Sequence, residues 1–395
     1  MKAGILALVF GYFLSQFYRS FLAVLTPVLA TDIGADASDL SFASGVWFII
    51  FAAMQIPVGW SLDKFGPRRT TVLLLAIGGG VGGIVFAMAT GPGAIVFAMA
   101  LFGIGASPVL MAAFFIFART YPQAIFSTLA GAMLGLGSMG NLAATAPLAQ
   151  LIDVFSWRQV MCAVAGAALI VAVAIQLFLR DPETHPEESV PKGNLLDLLF
   201  NRQLLFLFPL MLVNYAPAAG IRGLWSGPYF ENVYALDQIG IGRATLMMAL
   251  AMILGSFAYG PAERLLGSKK RVILTGNLLV SALCFVLWLF PDTSWMTAAI
   301  LFTAIGFFGM SFPALMAHGQ MFIPHHLTGR GITLLNLFGV GGVGLMQFVT
   351  SSMARSVPPE ASITPEFYGS LFLVFGASVL IGCVIYIFST ENRPD

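Results

Sequence analysis

A chain of 395 residues that is 58% hydrophobic and only 9% charged, against about 25% charged in an ordinary soluble domain, is read as a membrane protein. Nineteen Lys and Arg against eighteen Asp and Glu leave a formal charge of +1, so nothing in the balance points to nucleic acid as a partner. Cys162, Cys284 and Cys383 stand in separate apolar runs without CxxC or metal-ligand spacing, and offer neither a disulfide framework nor a zinc site.

Crossing a hydrocarbon core of about 30 Å takes about 20 apolar residues in a helix. Twelve runs meet that requirement and predict an all-α membrane protein, with spans over residues 4–30, 41–62, 70–90, 94–118, 126–150, 159–179, 204–229, 240–262, 272–291, 295–322, 331–354 and 367–389. The first run continues past 20 residues without a small-residue cleavage site, so it is expected to be a retained helix rather than a signal peptide. Between the sixth and seventh runs lies RDPETHPEESVPKGN, rich in Pro and charge. It predicts a cytoplasmic linker, 181–203, between six-helix bundles at 1–180 and 204–395.

Span one carries SQFYRSFLAVLTP, in which Arg19 stands about 15 residues into the apolar run. Tyr12, Gln16 and Arg19 recur at i, i+4 and i+7 and share one helical face. Between spans two and three comes GWSLDKFGPRR, residues 59 to 69. The Gly-rich fifth span follows as GAMLGLGSMGN. In span seven Arg222 lies about 18 residues in, on a face with Tyr215, Trp225 and Ser226 and with Asn214 at its edge. Pro217, Gly220 and Gly223 predict a bend there. Span eight holds Met247, Met248 and Met252, and span ten holds His318 and Met321.

Charge placement orients the spans, because Lys and Arg collect in cytoplasmic loops. With both termini inside, fourteen of the nineteen lie on the cytoplasmic side, and only Arg158, Arg243 and Arg355 outside. The remaining two are Arg19 and Arg222. A guanidinium does not lose its proton in a protein, and placing one at mid-bilayer costs at least about 2.5–3.5 kcal/mol. All eighteen acids fall in loops or near span ends, so the expected neutraliser is a substrate anion. Arginine forks match the planar oxygens of carboxylate or phosphate.

The chain repeats itself. GPAERLLGSKKR, residues 260 to 271, echoes 59 to 69 at an offset of 201. RTYPQ and FIPHH precede the Gly-rich fifth and eleventh spans at an offset of 202, and Arg19 and Arg222 are 203 apart. A period of this length reads as duplication of a six-helix unit, with the two arginines expected to face each other across the interface of the halves.

The pattern G-x-x-x-D-K-x-G-x-R-R between the second and third of twelve spans, echoed in the second half, resembles the loop signature of the major facilitator superfamily. The resemblance implies a monomeric secondary transporter of the bacterial inner membrane, working by alternating access with a substrate site near the midplane. It implies a cytoplasmic gate at Asp63, Arg68 and Arg69, in which the Asp63 carboxylate caps a neighbouring helix N-terminus and pairs with basic residues. Gly59 and Gly66 would serve tight turns and close helix approach. Paired arginines on the first and seventh helices are similar to those of the organic-anion and organophosphate branches. That places Arg19 and Arg222 on the anion, with Tyr12, Gln16, Asn214, Tyr215 and Trp225 shaping the cavity. Two departures stand out: Glu263 and Arg264 replace the Asp-basic pair in the second copy, and the fifth span lacks the proline of drug antiporters.

Other readings follow from single features. His318 is the intramembrane group that titrates near neutrality, and is either a proton relay or a hydrogen-bonded packing residue. Exchange against a counter-anion, or a proton carried on the substrate, would couple transport equally well. The methionines with His318 suit Cu(I), though two guanidiniums would repel a cation. No HExxH, GxSxG or P-loop pattern marks an enzyme, and no cofactor is expected. A receptor or assembly factor on the same fold would more naturally carry an added soluble domain.

Overall fold

The computed structural model describes residues 2–35, 37–182, 195–236, 238–356, 358 and 364–391. Most of the expected linker 181–203 lies outside the described residues.

Every regular element described is helical. Ten helices are long and apolar enough to cross a membrane, and an eleventh arises if Phe42–Ala53 and Gln55–Phe65, bent by 41°, count as one span. The expected twelve therefore become ten or eleven among the described residues. The difference lies in the first run, which folds as Lys2–Ser20 followed by Leu22–Ile33 and falls outside that count. Ser15, Gln16, Arg19 and Ser20 dilute its apolar character just where the helix is interrupted at Phe21.

The chain packs as two compact units. The first comprises Met1–Pro122, Met133–Gly193 and Pro324–Leu334; the second comprises Gln123–Ala132, Asn194–Ile323 and Leu335–Asp395. In the first unit, Tyr18 stacks on Phe102 at 4.1 Å between centroids, and its hydroxyl donates to the Gly79 carbonyl at 3.1 Å. Gly79 belongs to a π-helical stretch, Ala76–Val81, whose glycines permit close crossing: a Cβ on Gly78 would stand 2.2 Å from the Gly105 nitrogen. Trp157 and Arg158 tie the start of the sixth span to the end of the first. The indole Nε1 donates to Asp32 Oδ2 at 2.9 Å, while Arg158 donates to the Ala87 and Ala89 carbonyls and pairs with Asp32 at 3.3 Å.

In the second unit, Tyr229 stacks on Phe302 at 5.4 Å and meets Phe372 edge-on at 5.3 Å, joining spans seven, ten and twelve. Span seven is assembled from pieces: Arg202–Val213, Ala216–Gly220, a π-helical Ile221–Trp225, and Ser226–Tyr234. Span ten is likewise broken between Trp295–Phe308 and Phe312–Gln320. Each break precedes a proline, Pro217 or Pro313, which cannot donate a backbone hydrogen bond to the turn before it.

Candidate functional site

The polar face expected on span one exists within the first unit. Gln16 Nε2 donates to Tyr12 Oη at 2.9 Å, with both residues buried. The fifth span comes close enough to cover this face because its glycines lack side chains. A Cβ on Gly137 would lie 2.0 Å from the Tyr12 ring, and one on Gly140 2.0 Å from the Phe13 carbonyl oxygen. One turn on, Ser20 Oγ donates to Asn141 Oδ1 at 2.6 Å. Ser20 and Asn141 were not expected in the site; the only hint in the sequence is an asparagine ending a Gly-rich span.

Arg19 is half-buried, with its guanidinium carbon 5.0 Å from the centroid of the Phe48 ring. Among the described residues no carboxylate pairs with it. A cation–π contact returns about 0.5–2 kcal/mol, less than the about 2.5–3.5 kcal/mol that the charge costs at mid-bilayer. The aromatic ring orients the guanidinium, and at mid-bilayer that contact would offset only part of the cost of its charge.

Arg222 stands in the π-helical turn of span seven, half-buried, and its carbonyl accepts from Ser226 Oγ at 3.1 Å. Turns of this kind recur at functional sites because the extra residue re-aims the side chains around it. Trp225, at the end of that turn, is buried and donates Nε1 to Thr350 Oγ1 of span eleven at 3.0 Å. Tyr215 is half-buried beside the break in span seven. Asn214 is turned into the body of the second unit, with no exposed surface and its Nδ2 3.4 Å from Ser311 Oγ.

The loop residues separate into two arrangements, both in the first unit. Asp63, with its side chain 1% exposed, accepts from the Gly329 amide at 2.7 Å and the Arg330 amide at 3.2 Å, and pairs with Arg330 Nε at 3.6 Å. It thereby caps the N-terminus of the helix Thr328–Ser356, where amides and dipole favour an anion. Gly59 makes the approach possible, since its Cβ would stand 2.3 Å from Thr333 Oγ1. Arg68 joins Asp181 instead, through its backbone amide at 2.8 Å and Nε at 3.6 Å, while Arg69 is exposed. Gly66 holds φ at +84°, and its missing side chain leaves room for the Asp181 carboxylate. Arg119 donates to the His325 carbonyl. Arg330 and Asp181 were not expected as partners, because 267 residues separate Arg330 from Asp63 and 113 separate Asp181 from Arg68.

The second copy of the loop uses different chemistry within the second unit. Gly260 meets Thr128 as Gly59 meets Thr333, with a Cβ falling 2.2 Å from Thr128 Oγ1. Glu263, however, forms an ion pair with Lys269 rather than capping a helix.

His318 is fully buried in the second unit. Its Nε2 lies 2.8 Å from the Thr390 carbonyl and its Nδ1 2.6 Å from the Tyr386 hydroxyl, so both ring nitrogens are engaged. Met248 and Met252 are buried against Gly306 of span ten, where a Cβ would meet their Cγ atoms at 3.0 and 3.2 Å. That is gap-filling packing. Among the described residues no three His, Cys, Asp or Glu gather as metal ligands. These placements argue against the Cu(I) reading of Met247, Met248, Met252, His318 and Met321.

The sequence profile of the Major Facilitator Superfamily matches residues 8–347. A probable sulfoacetate transporter of Cupriavidus necator is 24% identical over 47% of this chain and 43% of its own length. A multidrug resistance protein of Klebsiella pneumoniae is 23% identical over 58% of this chain and 57% of its own. The chain thus spans about half the length of these two relatives. A putative tartrate transporter of Agrobacterium vitis is 23% identical over 97% of this chain and 88% of its own length. The solved structure of a proton:xylose symporter covers 98% of this chain, and 96% of that chain is matched, with a TM-score of 0.77 at 13% identity, a likeness of fold.

Proposed function

This chain belongs to the Major Facilitator Superfamily, and on that footing we propose that it moves a small organic anion bearing carboxylate or sulfonate groups across the membrane by alternating access. Arg19 and Arg222 bind the anionic groups; Tyr12, Gln16, Tyr215 and Trp225 shape their surroundings. The observation that carries the reading is Arg19, set over Phe48 with no described carboxylate to neutralise it. A bound anion would supply the missing charge and use the fork as a bidentate donor. Two relatives support the same chemical class by name, one for sulfoacetate and one for tartrate, both small molecules with two acidic groups.

In this proposal the protein crosses the bacterial inner membrane twelve times as a monomer, in two six-helix bundles with both termini cytoplasmic, as the loop charges direct. Asp63 with Arg330, and Arg68 with Asp181, serve as the cytoplasmic gate. Coupling is by exchange against a counter-anion or with a co-transported cation.

The test is uptake of radiolabelled anions into proteoliposomes holding the purified protein, across two-carbon to six-carbon carboxylates and sulfonates, with sugars and a lipophilic cation as controls. Accumulation of at least one anion, but of neither control, is expected. Uptake of no anion across the panel would overturn the proposal and favour a receptor on the same fold.

A further inference from the structure

We propose that the loop between spans two and three, in the first unit, binds a phosphate group, carried by an anionic phospholipid. The loop walls a cavity of about 270 Å³ together with the end of span four and the residues just after span six. Four of its lining residues are cations, Lys64, Arg68, Arg69 and Arg119, and two are carboxylates, Asp63 and Asp181. Asp63 directs its charge elsewhere: it accepts from the Gly329 and Arg330 amides and pairs with Arg330, residues that do not line the cavity. Asp181 accepts from the Arg68 amide at 2.8 Å, but Arg68 Nε stands 3.6 Å from it and is buried without a hydrogen-bond partner. Lys64 and Arg69 are exposed and pair with no carboxylate among the described residues. The lining therefore carries a surplus of positive charge converging on one space.

The second copy of the loop is an internal control. There Lys269 pairs with Glu263 and Lys270 donates to the Ile387 and Ser389 carbonyls, so the chain itself occupies both cations. The cavity beside that copy is lined by residues such as Ala258, Leu279 and Phe307, with no charged side chain among them, and Arg271, exposed on the same loop, does not line it. The loop's fold thus does not require a basic cavity; the first copy has one. Guanidinium forks bind phosphate oxygens in pairs, and an ammonium adds a point charge. The flank of the cavity favours a lipid as the carrier. Trp60 and Phe65 are both exposed and meet edge to face at 5.4 Å, with the Lys64 ammonium 4.6 and 5.4 Å from their ring centroids. An exposed tryptophan at the end of a span marks the depth of the headgroups, and here it sets Lys64 at that depth. Basic pockets at helix ends attract anionic headgroups, while exposed rings suit the acyl chains below them. A soluble phosphate has no use for that apolar flank.

Arg19 does not line the cavity, so the site stands apart from the transported anion. Thermal unfolding of the purified protein in detergent micelles is followed at fixed pH and ionic strength. Phosphatidylglycerol or phosphatidylcholine is added at matched mole fraction, and in a separate arm inorganic phosphate replaces chloride. Phosphatidylglycerol should raise the midpoint by roughly 2 °C or more over phosphatidylcholine, as a ligand of the folded state does. Lys64→Gln and Arg69→Gln, both changes on exposed side chains, should each reduce that shift and together abolish it, while Arg271→Gln on the second copy of the loop should retain it. An equal shift with phosphatidylcholine, a shift that survives in the double variant, or one that Arg271→Gln reduces as much would each overturn the site. Stabilisation by inorganic phosphate without any by phosphatidylglycerol would overturn the lipid as the carrier.

Discussion

Asp63 and Arg69 lie in one short motif and have opposite surroundings. Asp63 is sealed against a helix N-terminus with Arg330, whose side chain is 15% exposed, and removing its carboxylate breaks a nearly buried ion pair. Asp63→Ala should therefore cost about 3 kcal/mol, the range for a broken buried pair, together with a lost cap. Arg69→Ala, on the exposed side, should stay within about 0.5 kcal/mol. Thermal unfolding of both variants in detergent measures the contrast, and equal effects would mean that the cap contributes nothing. The motif announced Asp63, but its partners stand 266 and 267 residues away, and no local pattern connects them. Arg19 was legible for the opposite reason: a permanent charge in an apolar run is conspicuous without knowing its neighbours. Asn214 was legible only as a polar residue on span seven, and its actual company, Ser311 and Asn277, comes from two other spans.

Among the elements, the glycines of the fifth span determine how closely helices pass. A side chain at Gly140 would collide with the Phe13 carbonyl, backbone that cannot step aside, whereas Gly166 on the sixth span has nothing within 4 Å of its Cβ position. Gly140→Val should lower the unfolding midpoint and the yield of folded protein, while Gly166→Ala should be neutral or stabilising by up to about 1 kcal/mol through helix propensity. Size-exclusion profiles and melting of the two variants check this; a Gly140→Val protein that melts like the parent would refute the close crossing. The interruption of span seven could be read from Pro217, Gly220 and Gly223. The π-helical turn under Arg222 could not, since an extra residue in a turn depends on tertiary packing rather than on composition. The first run shows where counting apolar residues falls short. Its polar face takes the run out of the set of helices apolar enough to cross unaided.

For the molecule as a whole, the sequence offers matching loops about 200 residues apart, and in the structure the two loops make different contacts. Gly59 against Thr333 and Gly260 against Thr128 are the same device in two units. The carboxylates beside them are not equivalent, one capping a helix and the other paired with a lysine. The account turns on the charge of Arg19, and calorimetric titration of an anion identified by uptake into the wild-type protein, Arg19→Lys and Arg19→Ala tests it most directly. Binding should weaken at least about tenfold in Arg19→Lys, where the fork is lost, and disappear in a folded Arg19→Ala protein. Full affinity in Arg19→Ala would contradict the account.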